Sequence, residues 1–530
     1  MRAISQSRRC CDPQRCRRGR SARRDPIGAH PPGARIHRRG PTSVSALAAA
    51  RERVAGLRLA QPVGAITRSA GLLLEAAGPP ARVGEKCLLE VRAGCEPAPC
   101  EVVGFSGHRL LIMPFRDIQD VGVGSRVIAT GEPVTIRVGD SLLGRVVDGL
   151  GEPIDGGPVP ADTCSQPVER EPPAALQRRA ISRPLPLGVR AIDGLLTCGV
   201  GQRMGIFAGP GVGKSTLLGM IARNTRADVN VIALIGERGR EVGEFIQGSL
   251  GPAGLQRSVV VVATGDQPPV LVVRAAQVAT AIAEYFRDQG RDVLLMMDSI
   301  TRFAWAQREI GLATGEPPTR GGYTPSVFAA LPRLLERGGN SDRGSITTLC
   351  TVLVDGNDMD EPVASAVRAI LDGHIILSPR LAAAGHFPAI DVPESVSRVM
   401  PQVAGEHHMR MAREIRACIA AYRESEDLIN LGAYVRGSSA AVDRAITLKT
   451  PIDIFLQQAR DERTGFEDTV GALEEILSIP EASPVGTARK LQNPEQFADT
   501  LAGCQDLHGP TTGGTDAPVS LRSGNAAQDA

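Results

Sequence analysis

A glycine-rich octapeptide carries the residues best suited to phosphate chemistry. It reads Ala-Gly-Pro-Gly-Val-Gly-Lys-Ser over residues 208–215, between an apolar run, 204–208, and a stretch with helical periodicity, 214–226. Glycine at alternate positions lets successive backbone N–H groups surround a phosphate, and the helix N-terminus adds positive charge. Strand, loop and helix in this order are what a phosphate-binding loop requires. The sequence therefore predicts nucleotide binding, although Ala208 replaces the first glycine of the strict pattern.

The polar residues of this loop have separate predicted roles. Lys214 is expected to reach the β- and γ-phosphates, and the Ser215 hydroxyl to ligate Mg²⁺. A chance glycine-rich turn is the alternative interpretation. The predicted nucleotide-binding residues are Gly209, Pro210, Gly211, Val212, Gly213, Lys214, Ser215 and Thr216.

Two carboxylates follow other apolar runs that predict buried strands. Asp298 comes directly after the run 293–297, and the carboxyl end of a neighbouring parallel strand is where a second magnesium ligand belongs. Glu237 follows the run 229–235 and is predicted to orient and deprotonate a water molecule opposite the γ-phosphate. The alternatives are a helix N-cap before Ile300 for Asp298 and a solvated turn for Glu237.

The apolar patterns divide the chain into regions that must position these residues. From residue 61 to about 138, short β-rich runs between Gly, Pro and Asp turns predict a small antiparallel barrel or sandwich. Between 181 and about 393, β-branched runs alternate with helical periodicity, which predicts a parallel α/β sheet. From 400 to about 479, apolar residues recur at helical spacing.

Composition and charge exclude several classes of protein. Of 530 residues, 42% are hydrophobic and 22% charged, which is ordinary globular usage and excludes wholesale disorder. The net charge of +2 hides an asymmetry, because residues 1–42 hold twelve Arg and two Asp and leave the remainder mildly acidic. An acidic body with 3% aromatic residues argues against a nucleic-acid partner. Apart from the adjacent Cys10 and Cys11, the eleven cysteines are scattered singly, which indicates free thiols in a reducing compartment. No apolar run approaches the roughly 18 to 20 residues of a membrane span.

The two ends of the chain differ from its middle. We expect the Arg-rich start to be a solvated tail or sequence upstream of a wrongly assigned start, with an arm for an anionic partner as the alternative. An amphipathic stretch, 46–59, predicts a helix that binds a partner or packs on the barrel. The predicted regions are a disordered Arg-rich extension (1–42), a partner-binding segment (43–60), a β-barrel (61–138), a P-loop ATPase domain (139–396), a helical domain (397–480) and a disordered tail (481–530).

Several longer motifs carry a resemblance to a known family. They are Gly-Arg-Val-Val-Asp-Gly-Leu-Gly (144–151), the phosphate loop, Gly-Glu-Arg-Gly-Arg-Glu (236–241), Asp-Ser-Ile-Thr-Arg-Phe (298–303) and Pro-Ala-Ile-Asp-Val-Pro-Glu-Ser-Val-Ser (388–397). In this order they resemble the flagellar and type III secretion ATPase family, itself similar to the catalytic subunit of rotary ATP synthases. The resemblance covers roughly residues 44–479. It implies an α/β RecA-like P-loop core with an N-terminal β-barrel and a C-terminal helical domain.

The resemblance also implies roles for individual residues. Arg398 matches the family's arginine finger, which reaches the nucleotide site of the neighbouring subunit, and Arg238 matches a residue near the γ-phosphate. Phe387 stands where the family usually has a Tyr that stacks on adenine, and Pro379 replaces a usual basic residue. The catalytic residues so implied are Lys214, Glu237, Arg238 and Arg398.

The family's activity is Mg²⁺-dependent ATP hydrolysis that energises type III protein export, so ATP and Mg²⁺ are the implied cofactors. The implied assembly is a homohexamer whose carboxy-terminal helices meet a central stalk protein and export chaperones with their substrates. The amino-terminal segment is implied to bind a stator-like regulatory protein. Chaperone release and substrate unfolding would take place at a membrane export gate, on the cytoplasmic face of the bacterial inner membrane.

Segment 430–438 resembles the flagellar branch of the family more closely and therefore favours flagellar export. Four alternatives stay open beside it. The first is a virulence injectisome ATPase. The second is a rotary proton-translocating ATP synthase subunit, for whose non-catalytic partner no separate motif is found here. The third is a nucleotide-binding subunit without turnover, which usually carries an amide where Glu237 stands. The fourth is an RNA-translocating helicase, which requires a basic, aromatic barrel surface.

Overall fold

The computed structural model describes residues 61–91, 96–118, 120–354 and 359–480. The Arg-rich extension, the amphipathic segment and the C-terminal tail, at 1–42, 43–60 and 481–530, lie outside these residues, so their predicted states stay predictions.

A closed barrel of six antiparallel strands forms the amino-terminal part. The strands are β1 (Val63–Ala70), β2 (Leu73–Ala77), β3 (Glu85–Leu89), β4 (Ala98–Ser106), β5 (Arg109–Pro114) and β6 (Arg126–Pro133). Their order is β1-β2-β5-β4-β3-β6, and β1 pairs with β6 to complete the ring. Apolar residues at alternate positions, such as Ile66, Val102 and Ile112, fill its interior. Of the two predicted forms, barrel and sandwich, the chain adopts the barrel, whose closure leaves no open sheet edge.

A short two-stranded sheet leads from the barrel towards the core. It pairs β7 (Thr135–Val138) with β9 (Cys164–Pro167) in antiparallel register. Ile136 and Val138 are buried in the hydrophobic core that also covers one face of the main sheet.

The central sheet is predominantly parallel. Its strands are β8 (Val146–Asp148), β10 (Arg203–Ala208), β11 (Val229–Glu237), β12 (Ser258–Thr264), β13 (Asp292–Asp298), β14 (Gly339–Asn340), β15 (Ser345–Leu353), β16 (Gly373–Leu377) and β17 (Val396–Ser397). The order is β17-β16-β10-β15-β13-β11-β12-β8, and β14 pairs with β15. Only β14 and β17 run antiparallel to their neighbours within this sheet. Helices cover both faces, which explains why the parallel strands read as nearly continuous apolar runs.

Thirteen α-helices lie within the described residues. They are α1 (Arg190–Leu195), α2 (Lys214–Asn224), α3 (Gly239–Glu244), α4 (Gly251–Gln256), α5 (Pro269–Asp288), α6 (Ile300–Ala313), α7 (Pro325–Leu335), α8 (Pro362–Ile370), α9 (Pro379–Ala383), α10 (Met400–Val403), α11 (Glu406–Asn430), α12 (Ala440–Leu456) and α13 (Phe466–Ser478). Among the described residues only α5 is long and apolar enough to cross a membrane, and 89% of its apolar window is buried inside the protein. This helix therefore belongs to the core.

The carboxy-terminal helices share a hydrophobic core with one face of the sheet. Ile415, Leu448 and Leu473, one from each of α11, α12 and α13, are buried in the same cluster as Leu217 of α2 and Ile206 of β10. This packing connects the C-terminal helices to the strand and helix on either side of the phosphate loop.

Candidate ATP-binding and catalytic site

The phosphate loop lies at the carboxyl edge of the central sheet. β10 ends at Ala208 and α2 begins at Lys214, so the loop faces the helix N-terminus, which favours an anion. Gly213 adopts φ +90°, a left-handed conformation that side chains disfavour. A Cβ added there would also lie 3.5 Å from Phe387 Cδ1. The left-handed turn is therefore what requires glycine at 213, because an added Cβ would meet the Phe387 ring only at an ordinary contact distance.

Lys214 pairs with two carboxylates from different strands. Its Nζ lies 2.5 Å from Asp298 Oδ1 and 3.3 Å from Glu237 Oε1. Glu237 and Asp298 are buried and Lys214 is half-buried, with side-chain exposed fractions of 11%, 4% and 13%. Burial alone lowers the pKa of the Lys214 ammonium, but the carboxylates of Asp298 and Glu237 outweigh it and raise that pKa. The lysine stays charged, as a phosphate ligand must.

Glu237 is the last residue of β11 and lies beside the strand that carries Asp298. The register of β11 against β13 pairs Leu234 with Asp298. Burial, and then the Asp298 carboxylate, raise the pKa of Glu237 to about 7. A carboxylate with this pKa can accept a proton from water near neutral pH, which is what a general base requires.

Asp298 ends β13 and is held by a threonine of the neighbouring strand that no sequence motif contains. Its Oδ1 accepts a hydrogen bond of 2.7 Å from Thr351 Oγ1 on the neighbouring strand β15. The N-cap of α6 is Ser299, whose side chain accepts from the Arg302 N–H, so the alternative role of Asp298 as that cap is wrong. Thr351 is one of three threonines in β15 and gives no sequence signal of its own, because only the pairing of β13 with β15 brings it to Asp298.

Two arginines lie near the turn that follows Glu237. The Arg238 side chain is 69% exposed and pairs with Glu241 at 3.4 Å, so its guanidinium is directed to solvent and not into the buried cluster. Arg302 packs against Gly236, where an added Cβ would lie 2.8 Å from the Arg302 Cβ. Its guanidinium lies 4.8 Å above the Trp305 ring. In the sequence Arg302 stands out only as one residue of the motif 298–303, whereas the fold places it beside the turn that follows Glu237.

Phe387 and Pro379 belong to the segment that follows β16. The Phe387 ring lies against Gly213 and is 44% exposed, so a flat face is available beside the phosphate loop. The Gln458 N–H donates to the Phe387 carbonyl at 2.9 Å, which ties this segment to the end of α12. Pro379 is the first residue of α9, after Ser378 at the N-cap, a position that suits proline.

Arg398 lies at the opposite edge of the sheet from the phosphate loop of its own chain. Ser397 pairs with Gly373, at the amino end of β16, whereas Ala208 pairs with Leu377 at the carboxyl end. Four residues of strand separate these positions by about 13 Å. The side chain of Arg398 is exposed, and its Nη1 donates to the Leu371 carbonyl at 3.4 Å.

The fold and this site together define a nucleotide-binding protein of the ATP synthase alpha/beta type. The profile of the "ATP synthase alpha/beta family, nucleotide-binding domain" matches residues 188–397, and that family's β-barrel domain matches residues 66–131. A third profile, "T3SS EscN ATPase C-terminal domain", matches residues 404–475.

Known proteins place the chain within one branch of that class. The flagellum-specific ATP synthase of Bacillus subtilis is 52% identical over 79% of this chain and 96% of the relative. The type 3 secretion system ATPase of Xanthomonas euvesicatoria is 51% identical over 80% and 96%. The assembled ATPase EscN from the type III secretion system of enteropathogenic E. coli superposes with a TM-score of 0.74, at 45% identity, over 78% of this chain and 100% of EscN. The chain belongs to this family of flagellar and type III secretion ATPases.

The comparisons confirm the predicted family, the ATPase activity and the fold of barrel, parallel-sheet core and helical C-terminal part. They also support ATP-driven type III export as the function. Flagellar and secretion relatives match at 52% and 51% identity, which does not separate the two branches. The choice of flagellar export therefore stays a prediction.

Proposed function

We propose that this chain hydrolyses MgATP in a homohexameric ring, with each site completed by Arg398 of the next subunit, and that hydrolysis drives protein export. The observation that carries the proposal is the buried cluster of Lys214, Glu237 and Asp298 at the phosphate loop. The position of Arg398 at the opposite sheet edge supports action on a neighbouring subunit's site, because the arginine lies far from the loop of its own chain.

The chain's residues supply the parts that phosphoryl transfer to water requires. The loop amides and the Lys214 ammonium bind the β- and γ-phosphates, and Phe387 stacks on the adenine. Glu237 accepts a proton from water as the water oxygen bonds to the γ-phosphorus and the bond to the β-phosphate oxygen breaks, which releases ADP. Arg398 of the neighbouring subunit stabilises the charge on the transferred group.

The residues at the loop fit a magnesium ion. Ser215 offers a hydroxyl and Asp298 a carboxylate, and oxygen donors are those that Mg²⁺ prefers. No group of three or more His, Cys, Asp or Glu in the described part of the chain is arranged to hold a metal. Mg²⁺ at phosphate-transfer sites is held by one or two protein ligands together with nucleotide phosphates, and Ser215 and Asp298 would supply that number. When bound, Mg²⁺ neutralises charge on the phosphate oxygens.

The proposed partners follow the relatives. EscN has been solved with its central stalk EscO, and we assign an equivalent stalk contact to the C-terminal helices of this chain. Export chaperones with their cargo, a stator-like protein at the amino-terminal segment and a membrane export gate complete the proposed set. The proposed location is the cytoplasmic face of the inner membrane, and flagellar components are the proposed cargo because of segment 430–438.

The test is the rate of ATP hydrolysis against protein concentration for a chain that starts at Val44, with molecular mass followed in parallel. Glu237→Gln and Arg398→Ala are measured beside it. We expect activity per chain to rise steeply as a hexamer forms. Glu237→Gln should reduce it by about 10²- to 10⁴-fold, and Arg398→Ala by about 10³- to 10⁵-fold. Activity per chain that is independent of concentration, or an active Arg398→Ala variant, would exclude a shared site.

A further inference from the structure

The backbone that carries the Arg398 side chain is held by residues that come just before β10 and β16. The Arg398 N–H donates to the Asp372 carbonyl at 3.0 Å. The Ser397 hydroxyl accepts from Gln202 Nε2 at 3.1 Å and donates to the Thr197 carbonyl at 2.9 Å. The arginine side chain is therefore exposed on a backbone that is itself held.

Asp372 and Arg203 bind each other through both backbone and side chain. Arg203 Nε donates to Asp372 Oδ2 at 3.0 Å and Nη2 donates to Oδ1 at 3.2 Å. The Arg203 N–H also donates to Oδ2 at 3.1 Å, and the Asp372 N–H donates to the Arg203 carbonyl at 2.9 Å. A planar fork of this kind fixes orientation as well as distance. The Asp372 carbonyl that holds Arg398 is thus oriented by Arg203.

There is little room for this backbone to move. A Cβ added at Gly373 would lie 2.6 Å from both Met204 Sδ and the Val396 carbonyl oxygen. Gly373 of β16 therefore lies tightly between Met204 of β10 and the segment that carries Arg398, next to the point where Arg203 holds Asp372.

The same strand carries the phosphate loop at its other end. Arg203 is the first residue of β10 and Ala208 the last, a distance of about 17 Å along the strand. β10 pairs with β15 on one side and with β16 on the other, so the strand is supported along its length. β10 thus connects the phosphate loop to the residues that hold the backbone of Arg398.

We propose that Arg203 and Asp372 are positioning residues for Arg398, so that the strand binding one subunit's nucleotide phosphates also sets the arginine that completes the next subunit's site. This inference rests on the proposed function, since it requires Arg398 to act on a neighbouring subunit. The competing explanation is a purely structural pair, because Arg203 also contacts Glu336, with Nη1 at 2.5 Å from Oε1. The two explanations differ in which subunit's site is impaired when Arg203 is changed.

The first measurement uses Arg203→Lys, which keeps the charge and loses the fork, and Asp372→Asn, which leaves Arg203 in place. We expect each hexamer to show kcat reduced about 10- to 100-fold, because small displacements of a catalytic group cost this much. KM for ATP should stay within about 2-fold of the unmodified chain, because the residues that bind ATP are intact. Arg183→Lys is the matched control, since Arg183 pairs with Asp292 at the amino end of β13, and it should keep the unmodified rate.

The second measurement places the defect in one subunit or the other. Arg203→Lys chains are assembled with a tenfold excess of Glu237→Gln chains, whose own sites are inactive but whose Arg398 is intact. If Arg203 acts through Arg398, each Arg203→Lys site in the mixture receives its arginine from a neighbouring Glu237→Gln chain. That chain keeps Arg203, so its Arg398 is correctly placed. Their rate should then return to within about 2-fold of unmodified chains mixed with the same excess.

Three other results would contradict the positioning role of Arg203 and Asp372. Arg203→Lys chains that stay slow in the mixture, or that are fully active alone, overturn the positioning role. Loss of the hexamer in both Arg203→Lys and Asp372→Asn overturns it in favour of the structural explanation. Arg398→Ala chains serve as the reference in the same mixture. If the Arg398→Ala chains are not rescued either, Arg398 does not act between subunits, and the proposed function fails together with the inference. If the Arg398→Ala chains are rescued but the Arg203→Lys chains are not, only the role of Arg203 and Asp372 fails.

Discussion

At the scale of single residues, the site combines one half-buried ammonium with two buried carboxylates. Lys214 neutralises part of this charge, but two carboxylates and one lysine leave a net negative charge in a buried position. The least costly way to relieve this charge is to protonate Glu237, whose pKa is raised to about 7. The same cluster of charges thus keeps Lys214 protonated and brings the pKa of Glu237 to a value suited to proton transfer near neutral pH.

The raised pKa of Glu237 predicts how activity depends on pH. A base acts when deprotonated, so kcat/KM for ATP should rise between about pH 6 and 8, with an apparent pKa near 7 for the free enzyme. Glu237→Gln should lower the rate by about 10²- to 10⁴-fold. The exposed Glu244→Gln on α3 is the control and should keep both rate and profile. A profile of the unmodified enzyme that is flat over this range would contradict the assignment.

The Phe387 ring predicts a separate effect on nucleotide binding. Stacking of a base on an aromatic ring contributes about 1 to 3 kcal/mol, so Phe387→Ala should raise Kd for ATP by about 5- to 150-fold. Phe387→Tyr should stay within about 3-fold, because the stacking face is kept. Fluorescence titration of each variant with a labelled nucleotide measures both values. An unchanged Kd in Phe387→Ala would show that adenine binds elsewhere.

At the scale of elements, one histidine joins α11 to α1. His408 is 6% exposed, and its Nε2 lies 2.7 Å from the Gly194 carbonyl oxygen, so Nε2 carries the proton and donates it. The ring also packs edge-on against Phe466 of α13, with centroids 5.9 Å apart. Burial lowers the pKa of His408 despite the bond to Gly194. Three helices therefore meet at a neutral imidazole.

Acidification should loosen this junction. The pKa of His408 in the folded chain lies below its ordinary value of about 6.5. The stabilisation by the neutral ring is therefore complete at pH values above about 6.5. The stabilisation is lost as pH falls through the lowered pKa. His408→Gln keeps an N–H donor without a titrating group, so its Tm should fall less than that of the unmodified chain between pH 7 and 5. His407→Gln, at an exposed neighbour, should match the unmodified chain, and parallel curves for His408→Gln would contradict this prediction.

At the scale of the whole molecule, a buried ion pair connects the barrel to the core. Arg274 of α5 donates to Glu101 of β4 through Nε at 2.6 Å, and these side chains are only 4% and 9% exposed. A second carboxylate, Glu169, accepts from Arg274 Nη1 at 2.8 Å. Removal of one partner leaves an uncompensated buried charge, which is far costlier than the loss of an exposed pair.

Substitution at this pair should destabilise the connection between the two regions. Arg274→Met should lower the free energy of unfolding by about 3 to 5 kcal/mol. It should also lower the temperature of the first unfolding transition seen by scanning calorimetry. Addition of Glu101→Gln should recover part of that loss, because the unpaired charge is gone. Arg126→Met removes an exposed pair with Glu90 in the same barrel and should leave the transition in place. Equal effects of the two arginine substitutions would contradict the role given to burial.

The sequence by itself determined the features that depend on local order. The phosphate loop, the short antiparallel strands at the amino end, the parallel sheet and the helical C-terminal part follow from turn chemistry and the period of apolar residues. Asp298 and Glu237 were found because each ends an apolar run, and the carboxyl ends of parallel strands meet at one edge. Each of these signals is contained in one short stretch of the chain, such as an apolar run and the carboxylate that follows it.

Only the tertiary structure decided which distant residues meet and how far apart others stay. Thr351 reaches Asp298 because β15 lies beside β13, and Arg203 holds Asp372 because β16 lies beside β10. The same strand order separates Arg398 from the loop of its own chain. Pairing between strands far apart in the chain, and the burial that raises the pKa of Glu237, depend on the whole packed sheet, and no short stretch of sequence records either.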